Sequence, residues 1–133
     1  MSTKMSDTQS APEGDIILRT LAMPKDTNVA GDIFGGWVLS QMDIAGGVLA
    51  AEYAGGRVAT VAVDAMKFIS PVKVGDVLCL YGEVTKVGTT SMSITLEAWS
   101  ERDRGRSKHK VTEGVFVFVA LDEEGQPVAV EKG

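Results

Sequence analysis

The sequence is short of the residues on which most metal and nucleophilic centres rely. It holds one cysteine, Cys79, and one histidine, His109, in 133 residues. One cysteine excludes an intramolecular disulfide and a cysteine-rich zinc site, and it suits a reducing compartment. One histidine excludes any metal centre that takes two or three histidines from a single chain. A Ser-His-Asp or Cys-His arrangement is left with His109 alone, which stands among lysines and arginines. Basic residues are also outnumbered: 13 Lys and Arg against 18 Asp and Glu, for a formal net charge of -5. A broad basic face for nucleic acid is therefore not expected, although a local basic cluster suffices for a small anion. Residues 1–12 are polar and rich in Ser and Thr, without the apolar run of a signal peptide. The longest apolar stretch, Trp37 to Ala54, is broken by Ser40, Gln41, Asp43 and Glu52 and is short for a bilayer. The expectation is a soluble, cytoplasmic chain, not integral to a membrane, with a flexible N-terminus over residues 1–13 and one domain over residues 14–130.

What is present is ordinary globular material, 44% hydrophobic and 23% charged, enough for a core without metals or cross-links. Asp15 to Met23 reads as a strand, with Ile16 and Leu18 on one face and Ile17, Arg19 and Leu21 on the other. Pro24 ends it, and a loop rich in Asp, Thr, Asn and Gly follows to Gly36. Gly36 to Tyr53 has no proline and abounds in Ala, Leu and Met, which predicts a helix stopped at Gly55-Gly56. Its apolar residues run nearly all the way round, so it is expected to be buried. The period then changes to two. Strands are predicted over Val58 to Ile69, Asp76 to Val87, Thr90 to Ser100 and Lys108 to Leu121, with turns at Gly88, Arg102 to Arg106 and Asp122 to Pro127. One strand, a helix and four more strands imply an α+β domain, an antiparallel sheet wrapped around one long central helix.

Asp43 draws attention because it interrupts the apolar helix. A carboxylate removed from water has a raised pKa and suits general-base work; the alternative is a structural Asp bonded to backbone, paired with a cation, or lying at a solvated edge. Asn28, in the loop before the helix, can hold a water or a carbonyl, or can simply build a turn. Gly35-Gly36 opens the helix. Its amides can polarise an oxygen, and Gly35 and Asp43, slightly over two turns apart, can look into one cleft; tight packing is the alternative. Arg102, Arg104, Arg106, Lys108 and Lys110 form a basic cluster that can hold phosphates or merely solvate a hairpin tip. Gly88-Thr89-Thr90-Ser91 suits a ligand contact or a turn. Cys79, Trp37 and Met42 read as core, and His109 as a surface residue.

Several stretches together resemble one family. LRTLAMPKDTNVAGDIFGGWVLSQMDIAGG (Leu18 to Gly47) is similar to the YciA-like acyl-CoA thioesterases, as are VDAMKFISPVKVGD (Val63 to Asp76), KVGTTSMSI (Lys86 to Ile94) and VTEGVFVFVALD (Val111 to Asp122). The resemblance implies a hotdog thioesterase domain over residues 14–130 that hydrolyses acyl-CoA to CoA and a carboxylic acid. It implies catalytic roles for Asp43, as general base or nucleophile, and Asn28. Gly35 and Gly36 match the position that polarises the thioester carbonyl. CoA contacts are implied for Gly88, Thr89, Thr90, Ser91 and Lys108. Neither metal nor redox cofactor is implied, since coenzyme A belongs to the substrate. The implied assembly is a homodimer with sites between protomers, often a trimer of dimers. The loop Glu101 to Ser107 matches the family least well, and the long C-terminal tail of some members is missing. Two rivals remain: a non-catalytic acyl-CoA binding or sensing module, and a dehydratase or hydratase of the same fold, which would need His109 paired with an acid.

Overall fold

A computed structural model describes residues 11–64 and 66–130. Of the N-terminal stretch expected to be flexible, residues 1–10 lie outside the described residues. The elements are strand β1 (Asp15–Leu21), helix α1 (Gly35–Ala54), and strands β2 (Arg57–Val63), β3 (Val77–Val87), β4 (Ser91–Arg102) and β5 (Ser107–Leu121), with a 3-10 turn at Pro24–Asp26. The strands form one antiparallel sheet in the order β1-β3-β4-β5-β2. Helix α1 touches all five strands, which is the helix-in-sheet arrangement implied by the resemblance.

Alternation along β4 dictates how the helix seats. Met92, Ile94, Leu96 and Ala98 are fully buried with Met42, Ala45 and Ala50 of the helix, and Phe116 and Phe118 of β5 complete the layer. Gly46 brings the helix onto the sheet, for a Cβ there would lie 2.9 Å from the Phe118 ring and 3.1 Å from Leu96 Cδ1. The helix ends where the sequence indicates: Gly55 is left-handed (φ 73°) and its amide donates to the Ala51 carbonyl at 2.8 Å.

Three expectations need correction. Ile16 and Leu18 do not share a face. A register shift lies between them, so Leu18 sits opposite Leu80 and packs on the core together with Ile17, while Ile16 is exposed. An inserted residue breaks the two-residue period, and composition does not mark where it falls. The second strand does not run to Ile69. It ends at Val63, and beyond it Asp64 N donates to Val115 O (2.9 Å) and Ile69 N to Val111 O (2.7 Å) outside any regular strand. Val111, which accepts there, is an extra residue of β5 in its pairing with β4. Helix α1, finally, is not buried all round. One sheet covers one side of a helix, and Leu39, Ile44 and Val48 are 37%, 51% and 45% exposed on the other. Among the described residues no helix is long and apolar enough to cross a membrane.

Candidate functional site

Asp43 projects from the uncovered side of α1 and is exposed in the protomer, not withdrawn from solvent as its apolar neighbours suggest. Its Oδ1 accepts a 2.6 Å hydrogen bond from Thr60 Oγ1. Thr60 lies on edge strand β2 beside a register shift, between partners Phe118 and Val117 of β5. The pair opens on a groove of about 330 Å³ lined by Gly36, Leu39, Ser40, Val63 and Phe116. Sequence reasoning missed Thr60, one threonine of a β-rich segment; only the helix-to-edge-strand packing puts it against the carboxylate.

The helix start adds backbone donors. Phe34 is the N-cap and no side chain caps the first turn, while the Trp37 amide turns back to Phe34 O at 3.1 Å. The amides of Gly35 and Gly36 therefore stand at the positive end of α1. The two glycines face different spaces. Gly36 shares the Asp43 groove, whereas Gly35 lines a second cavity of about 330 Å³ with Ile33, Val38, Phe68, Ile69 and Val72. Helical geometry explains the correction: at about 100° per residue, Gly36 is two turns from Asp43 to within roughly 20°, while Gly35 is about 80° out of phase.

Asn28 forms the turn that its residue type favours. Its Oδ1 accepts from Ala30 N (2.9 Å) and Asp32 N (3.1 Å), and its own amide donates to Asp32 O (2.7 Å). Asn28 is not among the residues lining the Asp43 groove. One protomer thus unites Asp43 and Gly36 but leaves Asn28 outside.

The family model of the thioesterase superfamily matches residues 30–106, more than half of the 133-residue chain and all of α1 with its flanking loop. The chain belongs to the thioesterase superfamily. It is 53% identical over 129 residues to the acyl-CoA thioester hydrolase YciA of Escherichia coli K12, covering 95% of this chain and 98% of that one. The structure of HI0827, a hexameric broad specificity acyl-coenzyme A thioesterase, matches with a TM-score of 0.86 at 49% identity, over 92% of this chain and 84% of that one. An acyl-CoA hydrolase from Staphylococcus aureus matches with a TM-score of 0.78 at 29% identity, over 86% and 71%. That enzyme has been solved with an aspartate and, separately, a threonine replaced by alanine.

In this thioesterase the residues implied as CoA contacts lie far apart. Gly88 to Ser91 make the β3–β4 turn: Gly88 N donates to Ser91 O, and the carbonyls of Thr89 and Thr90 accept from Val130 and Ala120 at 2.8 and 2.9 Å. Lys108 pairs with Glu101 at the other end of β4, its Nζ 3.9 Å from Glu101 Oε2. Ser91 and Glu101 are separated by about 30 Å of strand at ~3.3 Å per residue. Most of the basic cluster is committed. Arg102 Nε donates to both oxygens of buried Asp76 (2.9 and 3.0 Å) and its Nη2 to Pro71 O (3.1 Å). Arg106 lies 3.8 Å from Asp103, and Lys110 pairs with Glu97 and Glu113. His109 Nε2 bonds Ser107 Oγ at 2.7 Å and is not among the residues lining the Asp43 groove. Cys79 is buried as expected. Burial, then the Glu101 charge beside it, pushes its thiol up to about 11, so it is no nucleophile near neutrality.

Proposed function

We propose that this thioesterase hydrolyses acyl-CoA to CoA and a carboxylic acid in the groove that holds Asp43. The observation that carries the reading is the Asp43 carboxylate, held by Thr60 in the space that also exposes Gly36 at the helix start. The thioester carbonyl accepts from amides at Gly35 and Gly36, which stabilise charge gathering on its oxygen. Asp43 takes a proton from an attacking water, and the collapsing tetrahedral species expels the CoA sulfur, which takes that proton. In the other route Asp43 attacks the carbonyl carbon and the C–S bond breaks, releasing CoA as a thiolate that takes a proton from solvent; water then cleaves the mixed anhydride to the carboxylic acid and free Asp43. No metal or redox cofactor enters either route, and coenzyme A comes with the substrate.

The working unit in this reading is a homodimer, assembled as a trimer of dimers. β2 is an edge strand, and its exposed Val61 and Val63 adjoin the uncovered helix face of Leu39, Ile44 and Val48. A second copy laid there removes this apolar surface from water, dries Asp43, and supplies Asn28 across the interface. Gly88 to Ser91 and Lys108 likewise hold one CoA from different protomers, which reconciles their separation within a chain. The hexameric HI0827 supports this assembly. The setting is the cytoplasm, in line with one buried free thiol.

The test is CoA release, read with a thiol reagent over a panel of acyl-CoAs. Asp43→Asn is expected to lose at least ~100-fold in kcat, the range for a positioned general base. Near-full activity in a folded Asp43→Asn protein refutes the assignment. Saturable acyl-CoA binding without CoA release by the unaltered chain would make it a binding module instead. Asn28→Asp keeps the oxygen that closes the turn but loses the amide donor, so it separates a turn role from a substrate role.

A further inference from the structure

Two cavities flank the start of α1. One carries Asp43. The other carries no charged side chain: Ile33, Val38 and Val72 form a buried floor, and Phe68 and Ile69 form a half-exposed wall. Gly35 lines this cavity, and its neighbour Gly36 lines the one that carries Asp43. A Cβ placed on it would lie 3.4 Å from Phe68 Cζ, so the ring abuts the helix start. The wall is fixed from behind. Arg102 holds the Pro71 carbonyl and buried Asp76, Asp76 Oδ2 accepts from Lys73 N at 2.9 Å, and Ile69 N is tied to Val111 O.

We infer that this second cavity is the acyl-chain subsite and that Phe68 sets how long a chain it admits; the inference rests on the hydrolase reading above. A thioester carbon carries three groups. With its oxygen on the helix amides and water arriving from the Asp43 side, the sulfur arm and the acyl arm must leave in other directions. The cavity beside Gly35, walled by Ile33, Val38, Phe68, Ile69 and Val72 with Ser70 at its edge, suits an alkyl chain. The pantetheine arm, with its two amides, needs more hydrogen-bond partners than the Ser70 side chain, the one polar side chain in that lining, supplies. The chain grows from Gly35 toward Phe68, and the ring closes the path.

The experiment is the acyl-length profile of kcat/KM for the intact chain, Phe68→Ala and Phe68→Trp, over saturated acyl-CoAs from two carbons upward. Inhibition by alkyl-CoA thioethers, which cannot be hydrolysed, is measured over the same lengths. In the unaltered chain each methylene that enters raises kcat/KM about fourfold, up to the limit set by the ring. Phe68→Ala moves that limit to longer chains, raising the long-to-short ratio by about tenfold or more, and Phe68→Trp moves it to shorter ones. The thioether series shifts in the same sense. Phe68 is 49% exposed, so both variants are expected to fold, and melting curves check this. Profiles scaled by one common factor at every length, with unshifted thioether inhibition, overturn the inference and leave hydrolysis standing. If no acyl-CoA is cleaved, the hydrolase reading falls, and thioether binding in place of inhibition decides the subsite: no dependence on length, or dependence unaltered by Phe68, overturns it.

Discussion

Adjacent glycines in α1 offer a controlled measurement of how closely the helix rests on the sheet. A Cβ at Gly46 would stand 2.9 and 3.0 Å from the Phe118 ring and 3.1 Å from Leu96 Cδ1, and both neighbours are fully buried. Neither can swing into solvent, so the helix or the core must shift. A Cβ at Gly47 would meet Phe118 Cε2 at 3.7 Å, an ordinary contact. Both Gly→Ala changes gain the same intrinsic helix preference, about 1 kcal/mol. Only Gly46→Ala adds overpacking, about 1–3 kcal/mol. Gly47→Ala is therefore expected to melt above the parent and Gly46→Ala well below Gly47→Ala, by roughly 3–12 °C. Thermal and urea unfolding, followed by circular dichroism at one protein concentration, measure the gap. Equal stability of the two variants would refute the close-approach argument. Gly46→Ala should also lose CoA release disproportionately, because a lifted helix carries Asp43 away from Thr60.

Arg102→Ala strips buried Asp76 of its cation and is expected to cost about 3 kcal/mol, whereas Arg104→Ala on the exposed turn should change stability by less than about 0.5 kcal/mol; chemical unfolding distinguishes them. Cys79 should resist thiol reagents at pH 7–8 in the folded protein and react once the chain is unfolded. Its folded pKa is raised, so the native state holds this proton more tightly than the unfolded chain. The associated stability is complete below the unfolded value and is lost as pH climbs toward about 11, and a Cys79→Ser variant should lack that alkaline component.

Much of the candidate site was legible because it lies on one continuous segment. Gly36 and Asp43, which the structure brings to one groove, fall within the span from Leu18 to Gly47, and the helix, its glycine stop and the β4 alternation follow from local pattern. Thr60 was not legible, since its partner is 17 residues away in sequence and reaches it only through packing. Nor was the division of Gly35 and Gly36 between two cavities, which required the true helix phase and the placement of residues 68–72 after β2.

By itself, the sequence determined the element order, the helix and the Asp43 carboxylate set among its apolar residues, and the exclusion of an intramolecular disulfide and of multi-histidine metal chemistry within one chain. These depend on local propensity and on residue inventory, which are properties of the chain read linearly. The tertiary structure alone decided that the Asp43 side of that helix stays uncovered in one protomer, that Thr60 grips the carboxylate, that Arg102 serves the cavity wall through Asp76, and that a cavity walled by Ile33, Val38, Phe68, Ile69 and Val72 flanks Gly35. Each of these sums contacts between elements distant in sequence. Bulges in β1, β2 and β5 move such contacts by a residue at a time, and a two-residue period carries no record of where it is broken.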